Sequence, residues 1–182
     1  MVMSFFRRRD DSGIDRIEAQ VQLMVTDARH TFDLAMNALT GGSVASVGEE
    51  VRRTDRRINV TEMEIRRELV VHFSVHAAGD ATEMLVFMNM IKDLERIGDY
   101  NKNVFDLAEE GVSFLDADDL DRILGFRDEI SSRIALMGEI LTARDAERAR
   151  AYIARGDEMR RGFDALVTEL VHSTTVANHA VP

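Results

Sequence analysis

The chain has 182 residues, 45% of them apolar, enough to bury one sizeable core. Its net charge of −10 repels a phosphate backbone, and no aromatic-studded basic patch offsets that, so nucleic acid is excluded as a partner. With no cysteine, disulfides, thiolate nucleophiles and zinc–sulfur sites are excluded too, and a single proline in a chain rich in Ala, Leu, Met, Glu and Arg favours long helices, so an all-α fold is expected.

The N-terminal MVMSFFRRRDD places Phe5 and Phe6 ahead of Arg7, Arg8 and Arg9, the reverse order of a signal peptide, and reads as a frayed terminus rather than a membrane anchor. No apolar run approaches the about 18 to 20 residues of a membrane span. The expected location is the cytoplasm, with membrane contact made only through partners.

Helix one is expected over 14–39, with Asp11 or Ser12 near its start and Gly41-Gly42 ending it. Helix two follows over 46–77 and stops at Gly79; helix three runs from an Asp80 N-cap to Gly111. A linker over 112–118 leads to helix four at 119–142 and helix five at 145–174. Laying the chain on itself with an offset of 102 puts Leu39-Thr40 on Leu141-Thr142, Val51 on Ile153, Asp55 on Asp157, Glu62 on Asp164 and Ile65 on Val167, without a gap. The sparse identity reads as a degenerate repeat: a three-helix unit at 14–111, then a partial copy at 112–182 that lacks its third helix.

At 100° per residue, Val44, Val47, Val51, Ile58, Ile65, Leu69 and Phe73 form one stripe of helix two, the expected core face. Asp55 and Glu62 lie within it and Asn59 at its edge. On helix three the apolar arc holds Met84, Phe87, Ile91, Leu94, Gly98 and Phe105, with Glu95, Asp99 and Asn103 climbing its rim. An antiparallel hairpin about Ala78-Gly79 brings together residues whose numbers sum to 157 or 158: Glu62 with Glu95, Asn59 with Asp99, Asp55 with Asn103. Four carboxylates and two amides then share one seam. Buried carboxylates need a proton, a cationic side chain or a metal ion, and Gly98 would let the two helices approach closely enough to share an ion. Two readings stay open: a hard cation such as Mg, Mn, Ca or ferric iron on all-oxygen ligands, or a salt-bridge ladder with Arg66, Arg96 and Lys92.

Other features point away from chemistry. His72 and His76 stand one turn apart, but no third ligand is evident and cationic histidines suit a helix C-terminus. The methionine-rich run 84–91 reads as core packing. Residues three after Glu62 and Glu95 are Ile65 and Gly98, not the His that di-iron carboxylate oxidases require. No phosphate-binding loop, nucleophile elbow or triad is present, and no enzyme is expected.

DLERIGDYNKN on helix three and DRRINVTE on helix two together resemble the PhoU family of phosphate-uptake and phosphate-signalling regulators. The resemblance spans 14–111 as one unit and continues more weakly to the end. It rests on Glu95-Arg-Ile-Gly-Asp99, which matches the family's E/D-x-x-x-D signature, with Asp55, Asn59 and Glu62 ahead of it. The resemblance implies a helical bundle of two repeats and a metal-binding adaptor, several members carrying iron or other metal clusters. Glu95 and Asp99 are its first-ranked ligands and Asp55, Asn59 and Glu62 its next. It implies a phosphate ABC transporter ATPase and a sensor histidine kinase as partners, and a homodimer. In the second unit Asp157 and Asp164 are kept, Arg161 replaces the expected Asp or Asn, and no second E-R-I-G-D follows. An accessory module of another ion transporter is the alternative, and a metal store or oxidase a third.

Overall fold

The structure, a computed structural model, describes residues 12–76 and 81–172. Among these are five helices: α1 (Ser12–Leu39), α2 (Val44–His76), α3 (Ala81–Glu109), α4 (Leu120–Ala143) and α5 (Ala146–His172). The all-α expectation is met, and the helix ends within the described residues fall no more than two positions from those expected. The Phe-Arg segment at the N-terminus, the Asp80 cap and the Gly79 stop lie outside the described residues.

Glycine ends two of the helices. Gly41 (φ 109°) and Gly111 (φ 90°) adopt the left-handed conformation. Each lets the next amide reach back, Gly42 N–H to the Asn37 carbonyl at 2.7 Å and Val112 N–H to the Leu107 carbonyl at 3.0 Å, closing carbonyls that the helix would leave open. The linker is tied down where Phe114 N–H donates to the Leu39 carbonyl at 2.7 Å. At the end of α4 the left-handed position is held by Arg144 (φ 51°), whose side chain forms an ion pair with Glu18 of α1.

α1, α2 and α3 pack on one another, and the spacing of their buried residues explains how. On α1, Ile14, Ile17, Val21, Met24, Ala28 and Thr31 alternate intervals of three and four; on α3, Met84, Phe87, Ile91, Leu94, Gly98 and Asn101 do the same. That 3.5-residue period keeps one seam facing its neighbours when the helices coil gently left-handed. α2 touches both neighbours and buries a wider face: Val51, Ile58, Ile65 and His72 at intervals of seven, with Asp55, Glu62 and Leu69 on one side and Thr54 and Thr61 on the other.

Phe73 is a correction to the expected stripe. It is 48% exposed, and His72 takes the buried position. The straight 3.6-residue period used on the sequence drifts about 20° per heptad from the packed seam, enough by the end of a 33-residue helix to turn Phe73 outward.

α4 packs along α1. Ile134 joins the main core, Gln22 Nε2 donates to the Gly138 carbonyl at 3.0 Å, and Arg29 Nε donates to Ser131 Oγ at 3.1 Å. Compact packing therefore divides the chain after Arg144, one helix later than the 111/112 boundary expected from the repeat. α5 belongs to the second unit. Asp145 caps it, its Oδ1 accepting the Glu147 and Arg148 N–H groups at 3.0 and 2.9 Å. Ile153 and Val167, the repeat counterparts of the fully buried Val51 and Ile65, are 62% and 59% exposed.

Candidate functional site

The acidic seam lies between α2 and α3. The antiparallel register is the expected one: Arg52 of α2 reaches Asp106 Oδ1 of α3 at 3.3 Å and also pairs with Glu109, while Arg66 Nη1 lies 3.4 Å from Met88 Sδ. Within that register Asp55 is the most constrained acid. It is 9% exposed, and its Oδ1 has no hydrogen-bond partner among the described residues. Burial pushes its carboxyl above the ordinary Asp range; the charges of Asp99 and Glu95 push the same way, and Lys102 and Arg56 pull back. Asp55, Glu95 and Asp99 therefore act on one another across the two helices.

The remaining expected ligands are placed differently. Glu62 is buried and accepts Arg66 Nε at 2.5 Å. Glu95 is half-buried and pairs with Lys92 Nζ at 2.6 Å. Asn59 and Asp99 are half-buried and Asn103 is exposed. Asp157, Arg161 and Asp164 of α5 are all exposed, Asp164 pairing with Arg160 at 3.2 Å.

Gly98 provides close approach, but for an apolar group. A Cβ built there would sit 3.1 Å from Ile58 Cδ1, so the Ile58 side chain packs against the α3 backbone at Gly98. Among the described residues no three His, Asp or Glu side chains converge to hold a metal ion. Two acids of the seam stay uncompensated at close range among the described residues: Asp55, with its partnerless buried Oδ1, and Asp99, which carries no ion pair there.

Sequence reasoning missed a second polar pair. Asp27 of α1, buried at 5% exposure, receives Arg57 Nε at 2.6 Å and Nη2 at 2.5 Å in a forked contact, which raises the guanidinium's already high pKa. Asn101 was also missed. It is buried in the α3 seam and donates from Nδ2 to the Ala28 carbonyl at 2.8 Å. The alternation of three and four along α3 was the signal for it, since Asn101 falls where an apolar residue belongs. His72 is buried in α2, and the side chain of His76 lies outside those described.

The PhoU domain model matches residues 21–108, which run from the third turn of α1 to the end of α3. Residues 21–108 are thus similar to the PhoU domain family. The chain is also 26% identical over 127 residues to the phosphate-specific transport system accessory protein PhoU homolog of Deinococcus radiodurans. That similarity takes in 67% of this chain and 58% of the relative's length, so the match spans less than two thirds of the relative. No solved structure matches significantly. Among the described residues no helix is long and apolar enough to cross a membrane.

Proposed function

We propose that this chain is a PhoU-type regulator of phosphate transport and phosphate-starvation signalling, a non-enzymatic helical adaptor that works through contacts with a phosphate ABC transporter ATPase and its sensor histidine kinase. The observation that carries the reading is the coincidence of the PhoU match with the α1–α3 bundle and with the seam of Asp55, Glu62, Glu95 and Asp99. The relative's name supplies the link to phosphate transport.

A hard cation on the seam is a finer part of the proposal. Asp55 and Asp99 are the residues that would hold it, and it would offset their charge. Metal analysis of tag-free protein tests this: metal that Asp55→Ala with Asp99→Ala removes supports it, and equal negligible content in both proteins rejects it. A homodimer is a second finer part, supported by the open Ile153 and Val167 of α5. Light scattering after size exclusion tests it, an isolated monomer being the contrary result.

The adaptor reading itself is tested by affinity capture with cross-linking from phosphate-replete and phosphate-starved cells. Recovery of a phosphate transporter ATPase or its sensor kinase is expected. Recovery of an unrelated transporter would shift the reading to an accessory module of that system.

A further inference from the structure

The outer face of α2 carries a pattern that the phosphate reading leaves unused. Arg53, Arg56, Val60, Met63, Arg67 and Val70 succeed one another at intervals of three and four, the spacing of a coiled-coil seam. They lie opposite the Val51, Ile58, Ile65 row, and all six are exposed. Val60 and Met63 are 48% exposed, Val70 59% and its neighbour Val71 63%.

The charges on this strip are only partly compensated. Arg53 pairs with Glu50. Arg67 makes no ion pair among the described residues, and Arg56 has only its longer-range attraction to Asp55. Glu49 and Glu64 flank the strip without entering a pair there. On a chain of net charge −10, a basic and apolar strip along one helix is an exception to its surroundings.

We propose that this strip docks an acidic amphipathic helix of another protein. Apolar residues of the incoming helix cover Val60, Met63 and Val70, and its carboxylates reach Arg56 and Arg67. Arg56 and Arg67 are eleven residues apart on α2, about 16 Å along the axis at 1.5 Å per residue. The partner therefore carries acids about three turns apart with apolar residues between them.

Two other occupants suit the strip less well. A second copy laid antiparallel about Met63 sets Arg56 against Val70 and Arg67 against Asn59 of that copy, and one laid about Val60 sets Arg56 against Glu64 but Arg67 against Arg53, so neither register gives both arginines an acid. An anionic bilayer is repelled by the overall charge of −10, whereas a helix engages the seam alone. The inference stands apart from the phosphate reading and survives or fails without it.

The test uses the full chain and two dye-labelled synthetic helices with leucine at the seam positions, one flanked by glutamate and the other by lysine. Fluorescence anisotropy is expected to show binding of the glutamate helix, weakening with added salt, and none of the lysine helix. Arg56→Glu with Arg67→Glu is expected to weaken binding by about tenfold or more. Both side chains are exposed, so the variant's circular dichroism should match the parent's, while its melting temperature drops slightly as the attraction of Arg56 for Asp55 is lost. Three outcomes overturn the proposal: neither helix binds, the double reversal leaves affinity unchanged, or the reversal lowers the particle mass in light scattering, which would make the strip a self-contact. Sedimentation with phosphatidylglycerol vesicles in the absence of helix binding would overturn it in favour of a membrane.

Discussion

Asp55 concentrates the tension in the acidic seam. Its carboxyl is held above the ordinary range first by burial, and one oxygen finds no partner among the described residues. A raised folded-state pKa means that the group's contribution to stability is complete below the unfolded value and is lost as pH rises through the folded one. In metal-free protein Asp55→Asn should therefore melt a few degrees higher near neutral pH, with the gap to the parent closing in acid. Thermal melts from about pH 3 to about pH 8 check this. A variant that melts lower at neutral pH would show that Lys102 and Arg56 compensate the native carboxylate. This part of the site was legible in the sequence because stripe position and hairpin register are both periodic properties. Which acids keep a free oxygen was not, because that depends on where Lys92 and Arg66 swing and on Ile58 filling the gap beside Gly98.

Single elements show where local preference and packing part company. A Cβ added at Gly125 in α4 would meet nothing within 4 Å, so Gly125→Ala should gain about 0.5–1 kcal/mol of stability from helix propensity alone. Gly98→Ala should gain little, because its Cβ presses on Ile58 at 3.1 Å, and Gly98→Leu should lose about 1–3 kcal/mol by overpacking. Denaturant unfolding of the three variants gives the order directly. Asn101 is the polar member of the α3 seam, a kind of residue that fixes register at a cost in stability. Asn101→Leu should raise the denaturant midpoint while broadening amide resonances along α3, as the constraint from the Ala28 carbonyl is removed. Helix ends were readable from Gly41 and Gly111, whose backbone freedom ends helices in a way any sequence displays. The inward turn of His72 in place of Phe73 was not, since supercoiling accumulates only along a packed helix.

For the molecule as a whole, the division after Arg144 predicts two levels of protection. Amides of α1, α2 and α3 around Phe87, Ile91 and Ile65 should exchange hydrogen only through global unfolding. Those of α5 should exchange through a cheaper local opening, since its large apolar residues Ile153 and Val167 stay open. Hydrogen exchange read by mass spectrometry distinguishes this from a single cooperative unit. The first three helices were foreseeable because each carries its own stripe. The allegiance of α4 to α1 was not, because Gly138 beside Gln22 and Ser131 beside Arg29 are small-residue contacts that leave almost no periodic trace.

Arg144 places two incompatible demands on one codon. Its backbone occupies a conformation that suits glycine and costs other residues about 1–2 kcal/mol, while its guanidinium neutralises Glu18, whose carboxyl burial already holds above the usual range. Replacement by glycine satisfies the first demand and violates the second, and pH selects which matters. Arg144→Gly should be the more stable form in acid, where Glu18 is protonated and needs no counter-charge, and should lose that advantage as pH rises through Glu18's raised pKa. Thermal melts of the two proteins across acid and neutral pH read that crossover directly.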